Sequence, residues 1–453
     1  MRTNFSSAQL SDPETAQTRV ILETCVHLGF CTNTCPTYVL TRNENDSPRG
    51  RIELIRAMLE KGGAPDAKTV HHLDRCLSCL SCMTTCAVKV DYAHLIDRAR
   101  AHIERHYRRP WVERLLRSFL ALVLPRPRLF LFALRAGGAL KGIQAILPDQ
   151  LRGVVDMIPK RERVRPGICS PAIHRAENTA RRRVALLAGC AQQVLDSNIN
   201  AATIRVLQRH GCDVVIAEGS SCCGSLDLHM GRERNARAWA RTNLQAWCRE
   251  LDGARLDAIV INASGCGTTV KDYGHLLAYD PDWAEPARRI AMLARDFSEF
   301  LHSIGFRPTN APGPYRTAYH DPCSIQHGQR LTNEPRELLR RAGFSVIDVP
   351  EKHFCCGSAG TYNLLQPKMA GTLGRRKAEH IVSTRPDIVA TANIGCIMQL
   401  ERYLPVPVIH IAELLDWASG GPFPVALSRT LTRERGSSAG AAAPENNQNI
   451  GIW

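Results

Sequence analysis

The run Cys76-Leu-Ser-Cys79-Leu-Ser-Cys82-Met-Thr-Thr-Cys86 decides the fold at the start of this 453-residue chain. Its spacing is the one in which three thiolates surround one iron–sulfur cluster while the fourth cysteine reaches a second cluster. A zinc site more often pairs two short cysteine knuckles across a longer loop, so structural zinc is the weaker alternative. The run therefore predicts a ferredoxin-like iron–sulfur domain.

An earlier run follows the same template with one cysteine missing. It reads Cys25-x2-Leu28-x2-Cys31-x3-Cys35, so a leucine stands at the second ligand position. Crossed ligation predicts two sets of ligands: Cys76, Cys79, Cys82 and Cys35 for one cluster, and Cys25, Cys31 and Cys86 for the other. Three thiolates favour a [3Fe-4S] cluster, or a labile [4Fe-4S] cluster with a ligand other than cysteine. The remaining alternative is that this second cluster is absent.

Further along the chain, cysteines recur in two copies of one pattern. Each copy has a Cys-Cys-Gly-Ser run, at residues 222–225 and 355–358, with another cysteine 32 positions before it and a Gly-Cys pair after it. The cysteines are Cys190, Cys222, Cys223 and Cys266 in the first copy, and Cys323, Cys355, Cys356 and Cys396 in the second. Four thiols could hold a cluster, a zinc ion or a redox-active thiol pair, and we favour sulfur ligation of a metal.

Short β-branched stretches alternate with longer helical patterns from Val184 onward, which is typical of α/β units on a parallel sheet. We therefore expect a multidomain protein, with an α-helical ferredoxin-like N-terminal domain and two homologous α/β cysteine-rich lobes. The predicted parts are a ferredoxin-like domain at 15–105, a basic helical segment and linker at 106–183, lobes at 184–300 and 314–420, and a disordered tail at 430–453. The cysteines that follow apolar strand-like stretches should lie at the carboxyl ends of strands: Cys190 and Cys266 in the first lobe, and Cys323 and Cys396 in the second.

Other residues near these patterns have simpler interpretations. His320 and His327 flank Cys323 and could ligate or tune a metal, but we interpret both as structural histidines with satisfied hydrogen bonds. Three cysteines lie outside both patterns and are interpreted as small buried or linker residues: Cys169, Cys212 and Cys248. No Gly-x-Gly-x-x-Gly follows a predicted strand, so we expect no catalytic residues here and the substrate chemistry on another chain.

The 18 cysteines and the polar first residues, which contain no apolar signal segment, predict a protein of the reducing cytoplasm. The net charge of +15 is compatible with nucleic acid, an anionic membrane surface or an acidic partner. The cluster-type spacing and the 6% aromatic content argue against a zinc-stabilised nucleic-acid-binding protein. The arginine-rich segment 105–135 also contains Phe and Leu, so a partner protein and the inner face of the cell membrane both remain open as its contacts.

Two ferredoxin-type runs followed by two Cys-Cys-Gly lobes resemble a known family. It includes the glycolate oxidase iron–sulfur subunit, lactate-utilisation iron–sulfur proteins, the third subunit of anaerobic glycerol-3-phosphate dehydrogenase and heterodisulfide reductase subunits. Three stretches are most similar to the glycolate oxidase member: Cys31-Thr-Asn-Thr-Cys-Pro-Thr-Tyr38, Ser47-Pro-Arg-Gly-Arg-Ile52 and Phe354-Cys-Cys-Gly-Ser-Ala-Gly-Thr-Tyr362. The resemblance covers about residues 15–420. Leu28 and Ala87 depart from it, because the family has cysteine and proline at these positions.

The resemblance implies an electron-transfer subunit of an oxidoreductase complex that oxidises glycolate to glyoxylate. Flavin-binding glycolate oxidase subunits would carry out the substrate chemistry, and a quinone or another acceptor would receive the electrons. Two [4Fe-4S] clusters are implied, and only the cluster at Leu28 is in doubt. A subunit of a lactate or glycerol-3-phosphate dehydrogenase is the alternative, since the conducting chain does not contact the substrate.

Overall fold

The computed structural model describes residues 1–139 and 167–428. The predicted tail at 430–453 and the middle of the predicted linker lie outside these residues. Within the described part, no helix is both long enough and apolar enough to cross a membrane.

Residues 1–139 are helical, as predicted for the N-terminal domain. The helices are α1 Ser7–Leu10, α2 Pro13–Thr24, α3 Phe30–Asn33, α4 Pro36–Thr41, α5 Pro48–Lys61, α6 Ala67–Asp74, α7 Ser81–Thr85, α8 Tyr92–His106, α9 Trp111–Val123 and α10 Pro127–Ala139. A 3-10 turn, Glu44–Asp46, connects α4 to α5. Ser47 caps α5 by accepting a hydrogen bond from the Gly50 amide, and Pro48 follows as the first helical residue.

The core of the N-terminal domain contains both aliphatic side chains and thiols. Ile52, Ile55 and Met58 recur along α5 and are buried against α8, where Leu95 is completely buried. The same apolar cluster includes the cysteines Cys25, Cys76 and Cys82. The helices therefore place thiols of both cysteine runs in the interior of the domain.

The first lobe contains a five-stranded sheet. Its strands are β1 Ala172–His174, β2 Arg182–Leu187, β3 Cys212–Ile216, β4 Ala258–Ile261 and β5 Ala294–Asp296, in the order β1-β3-β2-β4-β5. All neighbours are parallel except β1 and β3. The helices are α11 Gln192–Leu195, α12 Asn198–Arg209, α13 Ser225–His229, α14 Glu233–Gly253, α15 Ser264–Lys271, α16 Tyr273–Leu276, α17 Ala284–Leu293 and α18 Phe297–Ser303.

The second lobe contains a four-stranded parallel sheet. Its strands are β6 Arg316–Tyr319, β7 Ser345–Asp348, β8 Ile388–Thr391 and β9 Val408–His410, in the order β7-β6-β8-β9. A π-helix, Ser324–Gln329, follows Cys323 directly. The remaining helices are α19 Glu334–Arg341, α20 Tyr362–Leu365, α21 Pro367–Ser383, α22 Ile394–Leu400 and α23 Ile411–Ala418.

The two sheets have the same topology, because β3-β2-β4-β5 corresponds strand by strand to β7-β6-β8-β9. The lobes pack reciprocally: α12 of the first lobe lies on α23 of the second, and α19 of the second lies on α18 of the first. Buried side chains from both lobes form one continuous core. The predicted fold class, a helical ferredoxin-type region followed by two α/β repeats, is thus confirmed at this level. The edge strand β1 was not predicted, and the exact domain boundaries remain predictions.

Candidate metal centres

The structure brings together one predicted set of four thiols: Cys76, Cys79, Cys82 and Cys35. Burial raises the pKa of the Cys82 thiol well above its ordinary value, and the neighbouring charges of Cys79, Cys76 and Cys35 raise it further. Cys35 comes from the first cysteine run and the other three come from the second, so the set has the crossed arrangement.

The donor set fits a metal cluster. Buried thiols that raise one another's pKa ionise together only when a cation compensates their charges. Four soft sulfur donors in a largely apolar setting match the ligands of an iron–sulfur cluster.

A buried cation, Arg51, lies beside this set. Its Nη1 atom is 3.9 Å from the Cys35 sulfur and 3.0 Å from Thr37 Oγ1, and its Nη2 atom is 3.5 Å from Asp46 Oδ1. Burial acts to lower the pKa of Arg51, but the thiolates of Cys76 and Cys35 and the Asp46 carboxylate raise it above its ordinary value. The guanidinium therefore stays charged beside the Cys35 sulfur. Arg51 lies in the stretch Ser47–Ile52, and no spacing pattern in the sequence marks it as a neighbour of a cysteine.

Hydrogen bonds also reach the Cys76 sulfur. The Ser78 amide lies 3.4 Å from it and the Tyr92 hydroxyl lies 3.7 Å from it. Donors to ligand sulfur atoms tune the reduction potential of a cluster. Ser78 has a left-handed backbone, φ 50°, which aims its amide back toward the sulfur.

The second predicted set, Cys25, Cys31 and Cys86, lines one apolar pocket together with Leu28. Burial raises the pKa of Cys31 to about 11, and the charges of Cys25 and Cys86 add to the shift. Leu28 is 55% exposed and offers no donor atom. The structure thus brings the three thiols together. The aliphatic side chain of Leu28 stands where the template has its fourth cysteine.

The rim of this pocket is apolar and faces solvent. Four large hydrophobic side chains near it are exposed: Val26, Leu28, Phe30 and Val88. Exposed apolar side chains that cluster in this way commonly mark a site of contact with another molecule.

In the first lobe, the predicted thiols meet at the carboxyl end of the sheet. Cys190 follows β2, Cys222 and Cys223 follow β3, and Cys266 lies in α15 after β4. They form a chain of neighbouring thiols in the order Cys190, Cys222, Cys223 and Cys266.

The second lobe repeats this arrangement with Cys323, Cys355, Cys356 and Cys396. The Cys323 and Cys355 sulfurs are 3.9 Å apart. Cys323 follows β6 and Cys396 lies in α22 after β8, as the repeat predicts.

The glycine of each Cys-Cys-Gly run is required by the backbone. Gly224 and Gly357 both have φ +87°, which is left-handed. A Cβ atom would lie 2.9 Å from the Ala236 carbonyl oxygen at Gly224, and 2.6 Å from the Ala370 carbonyl oxygen at Gly357. The turn that presents the paired thiols therefore needs glycine.

The two histidines near Cys323 differ. His327 is a structural histidine as predicted, with Nδ1 2.8 Å from Thr84 Oγ1 and Nε2 3.1 Å from the His353 carbonyl oxygen. His320 is not, because neither ring nitrogen has a hydrogen-bond partner among the described residues although the side chain is buried. Burial, with a contribution from the Lys377 charge, lowers the pKa of His320 to about 3. The interpretation of His320 as a satisfied histidine was therefore wrong.

The first ferredoxin-type set lies against the second lobe. Leu77, Cys79, Cys323, Cys355 and Tyr362 belong to one apolar cluster. Burial raises the pKa of the Cys79 thiol well above its ordinary value, and the charge of Cys323 is the next largest cause. Two thiol sets from opposite ends of the chain are thus neighbours.

The N-terminal domain contacts the first lobe through polar pairs. His94 Nε2 is 3.0 Å from Asp272 Oδ2, and His229 Nδ1 is 3.2 Å from Asp97 Oδ1. These contacts lie on the flank of the first lobe, formed by α13 and the turn after α15.

The cysteines outside the patterns are not part of these four sets. The Cys169 sulfur accepts a hydrogen bond from Asn200 Nδ2 at 3.1 Å, Cys212 is completely buried in β3, and Cys248 is half-buried in α14.

Comparison with protein families agrees with this architecture. A 4Fe-4S dicluster domain matches residues 21–90, and a cysteine-rich domain matches residues 184–271 and 317–401. The fold and its thiol sets define the class as an iron–sulfur electron-transfer protein with paired cysteine-rich domains.

Two relatives identify the family more narrowly. The glycolate oxidase iron-sulfur subunit of Escherichia coli (strain K12) is 40% identical over 92% of this chain and 99% of that protein. The probable glycolate oxidase iron-sulfur subunit of Bacillus subtilis (strain 168) is 30% identical over 87% of this chain and 94% of that protein. The chain belongs to the family of glycolate oxidase iron–sulfur subunits.

Two more distant similarities give less information. One covers only about half of this chain, and the other shows only the fold. Lactate utilization protein A of Geobacillus thermodenitrificans (strain NG80-2) is 29% identical over 52% of this chain and 98% of that protein. The crystal structure of a hypothetical protein from Helicobacter pylori matches with a TM-score of 0.52 at 9% identity, covering 92% of this chain and 74% of that one.

Proposed function

We propose that this chain is the electron-transfer subunit of a complex that oxidises glycolate to glyoxylate, with the hydride taken by a flavin-binding partner subunit. The observation that carries the proposal is the 40% identity, over nearly the whole chain, to a protein named for glycolate oxidase. The assembled set Cys76, Cys79, Cys82 and Cys35 supports a conducting function, because it is suited to a redox cluster.

In this proposal each thiol set holds an iron–sulfur centre. Four cysteines hold a [4Fe-4S] cluster: Cys76, Cys79, Cys82 and Cys35. Three hold a second cluster, a [3Fe-4S] centre beside Leu28: Cys25, Cys31 and Cys86. The eight thiols of the two lobes hold further centres. Such clusters supply one-electron transfer when they are bound.

The surrounding side chains control the first centre. Arg51 places a positive charge near the Cys35 sulfur, which favours the more negative, reduced form. Buried aliphatic side chains such as Ile55 and Leu73 exclude water and so lower the local dielectric constant.

The exposed apolar rim around Leu28 is the surface that we assign to the flavin-binding partner. It surrounds the pocket of the Cys25, Cys31 and Cys86 set, whose wall, at Leu28 and Phe30, faces solvent. Electron transfer requires close approach of donor and acceptor, and complexes of this kind often use small interfaces. A partner seated on this rim would lie next to the three-thiol set.

The acceptor side is assigned to the exposed face of α9, on which Trp111, Leu115, Phe119 and Leu122 recur at helical spacing. Exposed arginines, Arg114, Arg126 and Arg128, accompany this face. An apolar stripe bordered by arginine fits the surface of an anionic membrane, where a quinone would be reached. In this proposal the complex lies on the cytoplasmic side of the cell membrane.

Two other arginines of the same segment are not available for this contact. Arg109 and Arg117 are buried, and both bond Asp74 and Glu113, with Arg109 Nη1 2.6 Å from Asp74 Oδ2. The whole segment 105–135 is therefore not one docking surface.

The test uses the chain co-expressed with its flavin-binding partner and purified without oxygen. Glycolate should reduce the complex and give the electron paramagnetic resonance signal of a reduced four-iron cluster, whereas lactate and glycerol 3-phosphate should give little. Reduction by lactate or glycerol 3-phosphate in preference to glycolate would assign the chain to that substrate instead. A complex without iron or sulfide would overturn the conducting function.

A further inference from the structure

The second lobe contains a buried imidazole without a protein partner. His320 is 2% exposed, follows β6 directly, and has no hydrogen bond at either ring nitrogen among the described residues. Burial of a polar group is unfavourable unless a partner compensates for the lost water, so nearly all such groups have one. An unpartnered histidine therefore points to a ligand that is bound in the functional protein.

The neighbours of His320 show what kind of ligand this is. A ring nitrogen of His320 and the sulfurs of Cys356 and Cys396 lie within 4.8 Å of one another, and all three residues are buried. Two thiol sulfurs and one imidazole nitrogen at this separation form a metal-binding set. Cys355 and Cys323 continue the chain of thiols from Cys356.

The first lobe does not repeat this feature. Leu187 stands three residues before Cys190, as His320 stands three residues before Cys323, and Leu187 is buried. A second difference lies on the helix after each Cys-Cys-Gly turn. Lys377 of α21 is buried near Cys355 and Cys356, while Asn243 of α14 bonds the Cys222 carbonyl oxygen. The two lobes share their cysteines but differ in the other groups at the site.

We propose that His320 ligates the metal centre of the second lobe together with Cys356 and Cys396, and that this centre is an iron–sulfur cluster with one nitrogen ligand. The inference rests on the proposed function, which takes the lobe thiols as iron ligands. Iron–sulfur is favoured over zinc because Cys323 and Cys355 share an apolar cluster with Cys79 of the first ferredoxin-type set. A redox centre at this place would exchange electrons with that set.

The ligand change has an electrochemical consequence. The imidazole stands where the first lobe has Leu187, so it adds a neutral ligand to the shared cysteines, and the Lys377 ammonium adds a buried positive charge near Cys356. Less negative charge around a cluster stabilises its reduced form and raises its reduction potential. The centre of the second lobe should therefore have a higher potential than an all-cysteine centre in the first lobe.

The experiment uses the complex with its flavin-binding partner, purified without oxygen from cells fed ¹⁵N-histidine. Pulsed electron paramagnetic resonance should show a ¹⁵N coupling to a paramagnetic cluster in the wild-type complex. His320→Leu, which installs the side chain of the first lobe, should abolish this coupling. His320→Cys should keep the cluster signal, lose the nitrogen coupling and shift the potential downward.

His410→Asn is the matched control, because His410 is a buried histidine of the same lobe whose Nδ1 caps α23 by accepting from the Ala412 amide. It should leave the coupling unchanged. A coupling that persists in His320→Leu, no coupling in the wild type, or zinc in place of iron at Cys356 and Cys396 would overturn the inference. The four-iron signal of the Cys76 set reports separately on the proposed function. The proposed function and the assignment of His320 as a ligand can therefore fail independently.

Discussion

Arg51 illustrates how much one side chain contributes to the first centre. Its side chain is 1% exposed and faces Asp46, whose side chain is fully buried. Removing one member of a buried ion pair typically costs about 3–5 kcal/mol. Asp46 keeps an ion pair with Arg75 at 2.9 Å, so part of its charge stays compensated and the cost should lie at the lower end of this range. We expect Arg51→Met to lower the free energy of unfolding by about this amount, measured by anaerobic urea denaturation, and to shift the potential of the four-iron signal downward.

The control for this prediction lies on the same helix. Arg56 pairs with Glu53 and Glu60 at the surface. Exposed pairs contribute about 0–1 kcal/mol. Arg56→Met should therefore cost under about 1 kcal/mol and leave the potential unchanged; equal losses in both variants would contradict the importance given to the buried charge.

Leu28 offers a second prediction at the level of one residue. Leu28→Cys would supply the fourth thiolate of the template, so we expect about one more iron per chain and loss of the oxidised-state signal of a three-iron cluster. Iron assay and electron paramagnetic resonance check both. Val26→Cys adds a thiol to the same exposed loop, but outside the template. This control should change neither the iron content nor the oxidised-state signal. Unchanged iron in Leu28→Cys would count against the three-iron assignment.

At the level of elements, one histidine on α8 connects the N-terminal domain to the first lobe. His94 Nδ1 lies 2.5 Å from Asp91 Oδ2, and Nε2 lies 3.0 Å from Asp272 Oδ2. Burial acts to lower the pKa of His94, but the hydrogen bonds to Asp272 and Asp91 outweigh it and raise the pKa to about 10. His275 stacks on the ring, and its own pKa is lowered by burial and then by the His94 charge.

A raised folded-state pKa gives a definite sign to the pH dependence. The stabilising contribution of His94 is complete below its unfolded pKa of about 6.5 and is lost as pH rises to about 10. We expect the thermal midpoint to fall between pH 7 and pH 10 and this slope to be much smaller in His94→Gln. His106→Gln on the same helix should keep the wild-type slope. A His94→Gln slope equal to that of the wild type would contradict this account.

The exposed face of α9 makes a separate prediction. Replacing Leu115 and Phe119 with glutamate removes apolar contact and adds charge that an anionic surface repels. We expect the double variant to lose at least about tenfold in binding to phosphatidylglycerol vesicles, measured by flotation. Val382→Glu, at an exposed apolar position of α21, is the control. Equal binding by the double variant and the control would exclude this face as the membrane contact.

At the scale of the whole molecule, the N-terminal domain rests on both lobes and brings Cys79 beside thiols of the second. Cys79 neighbours Cys323 and Cys355, and the Tyr362 hydroxyl of the second lobe donates to the Arg75 carbonyl oxygen at 3.1 Å. The contacts described above between this domain and the first lobe are polar pairs of histidine with aspartate. Under the proposed function, we therefore expect an electron leaving the Cys76 set to reach the second lobe first.

This neighbourhood predicts magnetic coupling. In the fully reduced chain, the four-iron signal should be broadened by a paramagnetic centre in the second lobe. Cys323→Ala should narrow this signal, whereas Cys190→Ala, the corresponding change in the first lobe, should leave it broad. If both substitutions narrowed the four-iron signal equally, the Cys76 set would not be coupled to the second lobe in preference to the first.

Spacing along the chain was enough to predict the helical first domain and the repeated lobes, and to propose thiol sets whose members the structure brings together. It was enough because ligands within a few residues of one another, such as Cys79 and Cys82, are positioned by local backbone geometry. The cap Ser47 and the first helical residue Pro48 likewise mark a helix start through local hydrogen bonding.

Contacts between distant segments were decided only by the tertiary structure. The sequence by itself did not show that Arg51 reaches Cys35, that His320 faces Cys356 and Cys396 without a hydrogen-bond partner, or that Cys79 lies beside Cys323. Each of these depends on how helices and sheets pack, and packing is set by shape and burial across the whole chain. The sequence determined which residues could bind a metal, and the fold determined which of them meet and what surrounds them.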